Sequence, residues 1–117
     1  GRLLERLLVP FPAERPHFSR ILDGNLATAS RADIRSSGYV IETLEAALWC
    51  LMLGGSFADI VLRAVNLGDD TDTTGCVAGG LAGTWLGIDA IPRDWLASLA
   101  KEPSPAELID GLVAATG

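Results

Sequence analysis

The chain has 117 residues, 49% of them hydrophobic and 21% charged, with 9 basic residues against 15 acidic and a formal charge of -6. That length holds one domain with one modest core, and the apolar share is too high for a disordered or solvated tail. An acidic balance without a basic block disfavours nucleic-acid binding.

No segment has the pattern of a signal peptide. The longest uncharged stretch, Thr73 to Ile88, has 16 residues, fewer than the roughly 20 that a membrane span requires. Cys50 and Cys76 form no C-x-x-C pair and fall within apolar helical patterns, where the simple reading is two buried free thiols in a reducing cytoplasm. Residue 1 is Gly and the only methionine is Met52, so the chain is expected to be cut from something longer. It is taken either as a single all-helical domain over residues 1–117 or as the C-terminal fragment of a larger one.

In chain order, residues 3–9 form a short apolar stretch, Pro10 to Pro16 a punctuated turn, and His17 to Ala29 an expected helix. From Val40, the apolar residues Leu44, Ala47, Leu48 and Leu51 recur at helical spacing until Gly54 and Gly55. Ser56, with Asp59 three residues on, starts the next helix as a capping-box variant. Its Phe57, Ile60, Val61, Ala64 and Val65 make one apolar face ending near Leu67 or Gly68. A third helix is predicted from about Thr73 to Trp85, with Gly75, Gly79, Gly83 and Gly87 in one stripe. Each interior glycine costs about 1 kcal/mol against alanine, so the stripe predicts another backbone packed close against it. A turn over 88–92, a short helix from Arg93 to Lys101, and a final helix capped by Ser104 with Leu108, Leu112 and Ala115 aligned complete the reading. No strand pattern matches these in strength, and the fold class is all-α.

Between the second and third helices runs Gly68-Asp69-Asp70-Thr71-Asp72-Thr73-Thr74-Gly75, three carboxylates within four residues. One or two could be ordinary N-terminal caps. Three repel one another at a helix start, and a cation offsets that. Carboxylate and hydroxyl oxygens are hard donors that suit Mg²⁺, Mn²⁺ or Ca²⁺ and not structural zinc. Asp70 and Asp72, two apart in an extended loop, can reach one centre with Thr73 alongside. The internal acids that could add donors are Asp33, Glu42 and Glu45, of which Glu42 and Glu45 are expected on an exposed helix face. An EF-hand reading fails because its twelfth position is Leu81. The letters D-x-D-x-T also resemble aspartyl-phosphate phosphatases of the haloacid dehalogenase type, but there the first Asp ends a strand, and the segment here has helical period.

Ser37-Gly38-Tyr39-Val40, Thr43-Leu44-Glu45-Ala46-Ala47-Leu48-Trp49, and Ala64 through Gly75 together resemble the ADP-ribosylglycohydrolase family, over roughly residues 37–96. The resemblance implies an orthogonal multi-helical fold with a two-magnesium centre, Mn²⁺ being a possible substitute. It also implies cleavage of the glycosidic bond between ADP-ribose and a protein side chain or small acceptor. By position it implies Asp70, Asp72 and Thr73 as metal ligands, with Asp69 behind them and Asn66 tying the loop through side-chain hydrogen bonds. It suggests Tyr39 as a contact of the ADP-ribose pocket, a core or helix-start tyrosine being an equal reading.

The family's N-terminal Thr-Asp-Asp run is absent from the sequence, as is a clear acid/base glutamate. The resemblance thus implies that the chain is the C-terminal part of such an enzyme and carries half of its metal centre. The alternative is a non-catalytic structural or binding protein of the same fold. Exposed apolar faces are expected to pair with the absent N-terminal segment or with a second copy. His17, Trp49, Trp85 and Trp95 read as structural, the three tryptophans as core residues.

Overall fold

The computed structural model describes residues 2–99 and 105–116. Among these, every regular element is helical: α1 (Arg2–Leu8), α2 (Ser19–Leu22), α3 (Val40–Met52), α4 (Phe57–Val65), α5 (Thr71–Leu86), α6 (Arg93–Ser98) and α7 (Pro105–Thr116), with short 3-10 turns between them. None of the described helices is long and apolar enough to cross a membrane. The expected cap Ser104 and the expected helix end Lys101 lie outside the described residues.

α5 packs against both α3 and α4, and this trio is the core. Ala46, Ala47, Ala64, Ala78 and Ala82 are fully buried at the crossings, where small side chains let helices approach. Trp49, Phe57, Ile60, Leu67, Leu26 and Ile34 fill the remaining volume. Trp49 also donates from Nε1 to the Ala29 carbonyl at 3.0 Å, which pins the irregular N-terminal third onto α3. Ser56 and Asp59 form the anticipated capping box, each side chain bonded to the other's backbone N–H.

Several expectations are corrected. The helix over 17–29 is broken into a 3-10 turn over Pro12–Phe18, the single turn α2, and another 3-10 turn over Asn25–Thr28. Pro16 removes a backbone donor, and Gly24 adopts φ +74, a left-handed conformation that stops α2. The glycine stripe meets side chains and not a backbone. A β-carbon on Gly75 would stand 2.7 Å from Val65 Cγ1, one on Gly79 would touch Val61 and Phe57, and one on Gly83 would touch Phe57. Gly87 is not part of that contact; at φ +84 it ends the helix.

Trp85 is 78% exposed and not core, because the last turn of α5 is left uncovered among the described residues. Trp95 is half-buried, edge-on to Phe57 with ring centroids 6.1 Å apart. Cys76 is exposed on α5, whereas Cys50 is buried and burial pushes its thiol pKa up.

Candidate functional site

The acidic loop is built by two consecutive left-handed residues. Gly68 has φ +94 and Asp69 φ +56, a conformation that Asp tolerates better than most side chains. They turn the chain from α4 directly into α5, whose helical bonding begins at Thr71, with Asp70 as N-cap. The expectation of an extended loop reaching Thr73 is therefore corrected. Asp72 and Thr73 sit in the first helical turn, because the Asp70 carbonyl already accepts from both the Thr74 N–H at 3.2 Å and the Thr74 hydroxyl at 2.9 Å.

The N-cap carboxylate does not cap. No hydrogen bond joins the Asp70 side chain to the backbone of α5, in contrast to the capping boxes Ser30/Asp33 and Ser56/Asp59. Instead, the Asp70 carboxyl lies over Gly38, where a β-carbon would come within 2.7 Å of its Oδ2. Gly38 itself has φ +81, so both its conformation and its missing side chain make room for this carboxylate. Asp72 stands within hydrogen-bonding reach of Asp70. That contact first, then the backbone N–H groups of Thr73 and of Asp72 itself, hold the Asp72 carboxyl below the usual aspartate range. Among the described residues no arginine forms a salt bridge to Asp69, Asp70 or Asp72; the ion pairs are Arg15–Glu5, Arg20–Glu45 and Arg35–Glu42.

The loop is clamped from behind by residues the sequence did not single out. Buried Ser36 donates its hydroxyl to the Gly68 carbonyl, and its own carbonyl accepts from the Asp70 N–H at 2.8 Å. Arg31 donates to the carbonyls of Leu67 and Asn66. These bonds are to backbone atoms from an irregular segment, which carries no periodicity that could announce them.

Asp70, Asp72 and Thr73 are brought together on one turn, with Asp69 immediately before them. Asn66 is placed otherwise: its Nδ2 donates to the Leu62 carbonyl and closes the end of α4. Tyr39 is the N-cap of α3 and half-exposed. It lines a cavity of about 400 Å³ with Phe11, His17, Phe18 and Ile41, not the pocket beside Thr73. That second pocket, about 290 Å³, lies between the first turns of α3 and α5 and is lined by Gly38, Val40, Thr43, Leu44, Thr73 and Val77.

The other internal acids are engaged elsewhere. Asp33 closes its own capping box. Glu42 accepts from the Ser37 hydroxyl. Glu45, expected on an exposed face, is buried because Arg20 reaches over α3 to bond its Oε2 at 3.0 Å. Among the described residues no three Asp, Glu, His or Cys side chains gather as a metal-holding group. This chain therefore offers two carboxylates and a hydroxyl, hard oxygen donors of the kind that suits a small divalent cation but too few to complete its shell. A strand-borne aspartyl nucleophile finds no counterpart, since Asp70 stands at the start of a helix.

The ADP-ribosylglycohydrolase family profile matches residues 3–117. ADP-ribosylarginine hydrolase Tri1 of Pseudomonas putida (strain GB-1) is 44% identical over 86 residues, covering 74% of this chain and 23% of that protein. The protein of the same name from Serratia proteamaculans (strain 568) is 42% identical over 89 residues, covering 76% and 24%. ADP-ribosyl-[dinitrogen reductase] glycohydrolase of Rhodospirillum rubrum is 36% identical over 85 residues, covering 71% and 29%. The chain thus spans about a quarter of the length of these curated relatives. A profile match over nearly the whole chain, on an all-helical structure with its acids gathered at the head of α5, places this chain in the ADP-ribosylglycohydrolase family.

Proposed function

We propose that this chain supplies one side of a hydrolytic centre that releases ADP-ribose from a modified acceptor. In this reading Asp70, Asp72 and Thr73 hold a divalent cation, Mg²⁺ first and Mn²⁺ as a substitute. The observation that carries the reading is the Asp70 carboxylate. It neither caps α5 nor pairs with a described arginine, yet it stands beside Asp72 in a space kept open by Gly38. Two carboxyls in such contact share one proton unless a cation takes its place.

When bound, such a cation would orient ribose hydroxyls and acidify or position a water. The chain's own contribution is placement. The N–H groups and dipole at the start of α5 keep Asp72 ionised and ready to coordinate. Thr73 adds a neutral oxygen that leaves the site's charge unchanged. Ser36 and Arg31 fix the loop backbone, so the carboxylates are positioned before any ligand arrives. The remaining donors come from water, substrate or acids outside this chain. The acceptor taken here is arginine, because two relatives above 40% identity carry the name ADP-ribosylarginine hydrolase.

The test is release of ADP-ribose from ADP-ribosylarginine by the protein, with Mg²⁺, with a chelator, and in the Asp70→Asn variant. The expected result is loss of activity on chelation and a drop of about a hundredfold or more in the variant, with little change in melting temperature. Parental activity in Asp70→Asn contradicts the reading. Cation binding without turnover, even with the donors outside this chain supplied, replaces it with the non-catalytic alternative.

A further inference from the structure

The pocket beside Thr73 contains an anomaly. Thr43 is 4% exposed, and its Oγ1 is buried without a hydrogen-bond partner among the described residues. Helical hydroxyls normally fold back onto the carbonyl four residues earlier. Thr74, Thr84, Ser98 and Thr116 all do so, at 2.8–2.9 Å. The equivalent acceptor for Thr43 is the Tyr39 carbonyl, which takes the Thr43 N–H at 2.9 Å but not the hydroxyl. A buried hydroxyl left unpaired costs about 1–3 kcal/mol, and such groups commonly have a ligand or water as partner. Because no described residue holds it, rotation about χ1 to meet a partner breaks no bond among them.

The surroundings narrow the partner. The pocket of about 290 Å³ has aliphatic walls from Val40, Leu44 and Val77, with Thr43 and Thr73 as its hydroxyl-bearing residues. Its floor at Gly38 backs directly onto the Asp70 carboxylate. That volume is at the low end for ligand sites and admits a small ring with a substituent, not a dinucleotide-sized molecule. A sugar ring has an apolar face for the aliphatic wall and hydroxyl edges for the threonines.

We propose that Thr43 is a substrate-binding residue, its Oγ1 hydrogen-bonding a hydroxyl of a ribose ring seated between α3 and α5 beside Asp70 and Thr73. This deepens the function proposed above and rests on it. The test compares the protein with Thr43→Val, which keeps the shape and removes the hydroxyl, and Thr43→Ser, which restores it. Melting temperature is measured without ligand, and ADP-ribose affinity by calorimetry with Mg²⁺ present. Thr43→Val is expected to be at least as stable as the parent without ligand, to bind ADP-ribose about tenfold more weakly, the loss of one hydrogen bond, and to be rescued by Thr43→Ser. Equal affinity in Thr43→Val overturns the proposal. So does a loss of ligand-free stability that Thr43→Ser repairs, since that gives the hydroxyl a structural partner. Failure of the parent itself to bind ADP-ribose refutes the underlying function reading, a distinct outcome that takes this proposal down with it.

Discussion

Glu45 shows how misleading a helical wheel can be at a single position. It falls beside Ala46 and Ala47 on α3, and its carboxylate is buried under Arg20, whose second nitrogen bonds the Asp33 carbonyl at 3.2 Å. Burial raises its pKa, the Arg20 charge opposes that, and nearby Glu42 adds to it. A carboxyl whose folded pKa is raised contributes stability that is complete below its unfolded pKa and is lost as pH rises through the folded one. Glu45→Gln removes this titration. Its stability relative to the parent is expected to improve as pH rises from the acidic range to neutrality, as measured by thermal melts across pH. A gap moving in the other direction means that the ion pair with Arg20 outweighs desolvation. At this scale the sequence shows where Asp70, Asp72 and Thr73 gather, and their residue types motivate the hard-donor proposal. It was silent on Ser36, Arg31 and Thr43, whose roles come from backbone acceptors, or a missing acceptor, supplied by distant segments.

Among the elements, α3 and α4 were legible because their apolar residues repeat with the helix and their ends carry glycines or the Ser56–Asp59 box. The broken segment over 12–28 was not, since Pro16 and Gly24 interrupt a pattern that would otherwise sustain a helix. The predicted start of α5 at Thr73 falls two residues late because an Asp-Thr-Asp run reads equally as loop or first turn. Only the carbonyl geometry at Asp70 decides.

The glycine stripe of α5 carries a sharp contrast. Gly75 is pressed against Val65, and a β-carbon there lies under contact distance, whereas Gly80 faces open space. Gly80→Ala is expected to stabilise the protein by about 0.5–1 kcal/mol through helix propensity. Gly75→Ala is expected to destabilise it by about 1–3 kcal/mol through overpacking. Urea unfolding of both variants measures the difference, and a stabilising Gly75→Ala would show that α4 and α5 are not in tight contact at that point.

The whole molecule is more open than its length suggests. The radius of gyration is 16.3 Å, against about 13–14 Å for a compact domain of this size. Leu3 and Leu7 on α1 are exposed, as are Leu108, Ile109, Leu112 and Val113 on α7. Pairing of such apolar faces with another segment or a second copy is a proposal that size-exclusion chromatography tests. The all-helical class and the family were both readable from sequence, because the acids at the head of α5 and the small residues along it are local patterns. No further donors for the proposed cation gather among the described residues, and no local pattern could reveal any that lie elsewhere.

The proposed centre rests on one cluster of oxygens, and its direct measurement is the anomalous signal of Mn²⁺ in crystals of the protein. The expected result is a peak in direct contact with the carboxylates of Asp70 and Asp72 and with the Thr73 hydroxyl, abolished in Asp70→Asn. A saturated crystal showing no ion there, with those carboxylates instead hydrogen-bonded to the backbone or paired with an arginine, would contradict it.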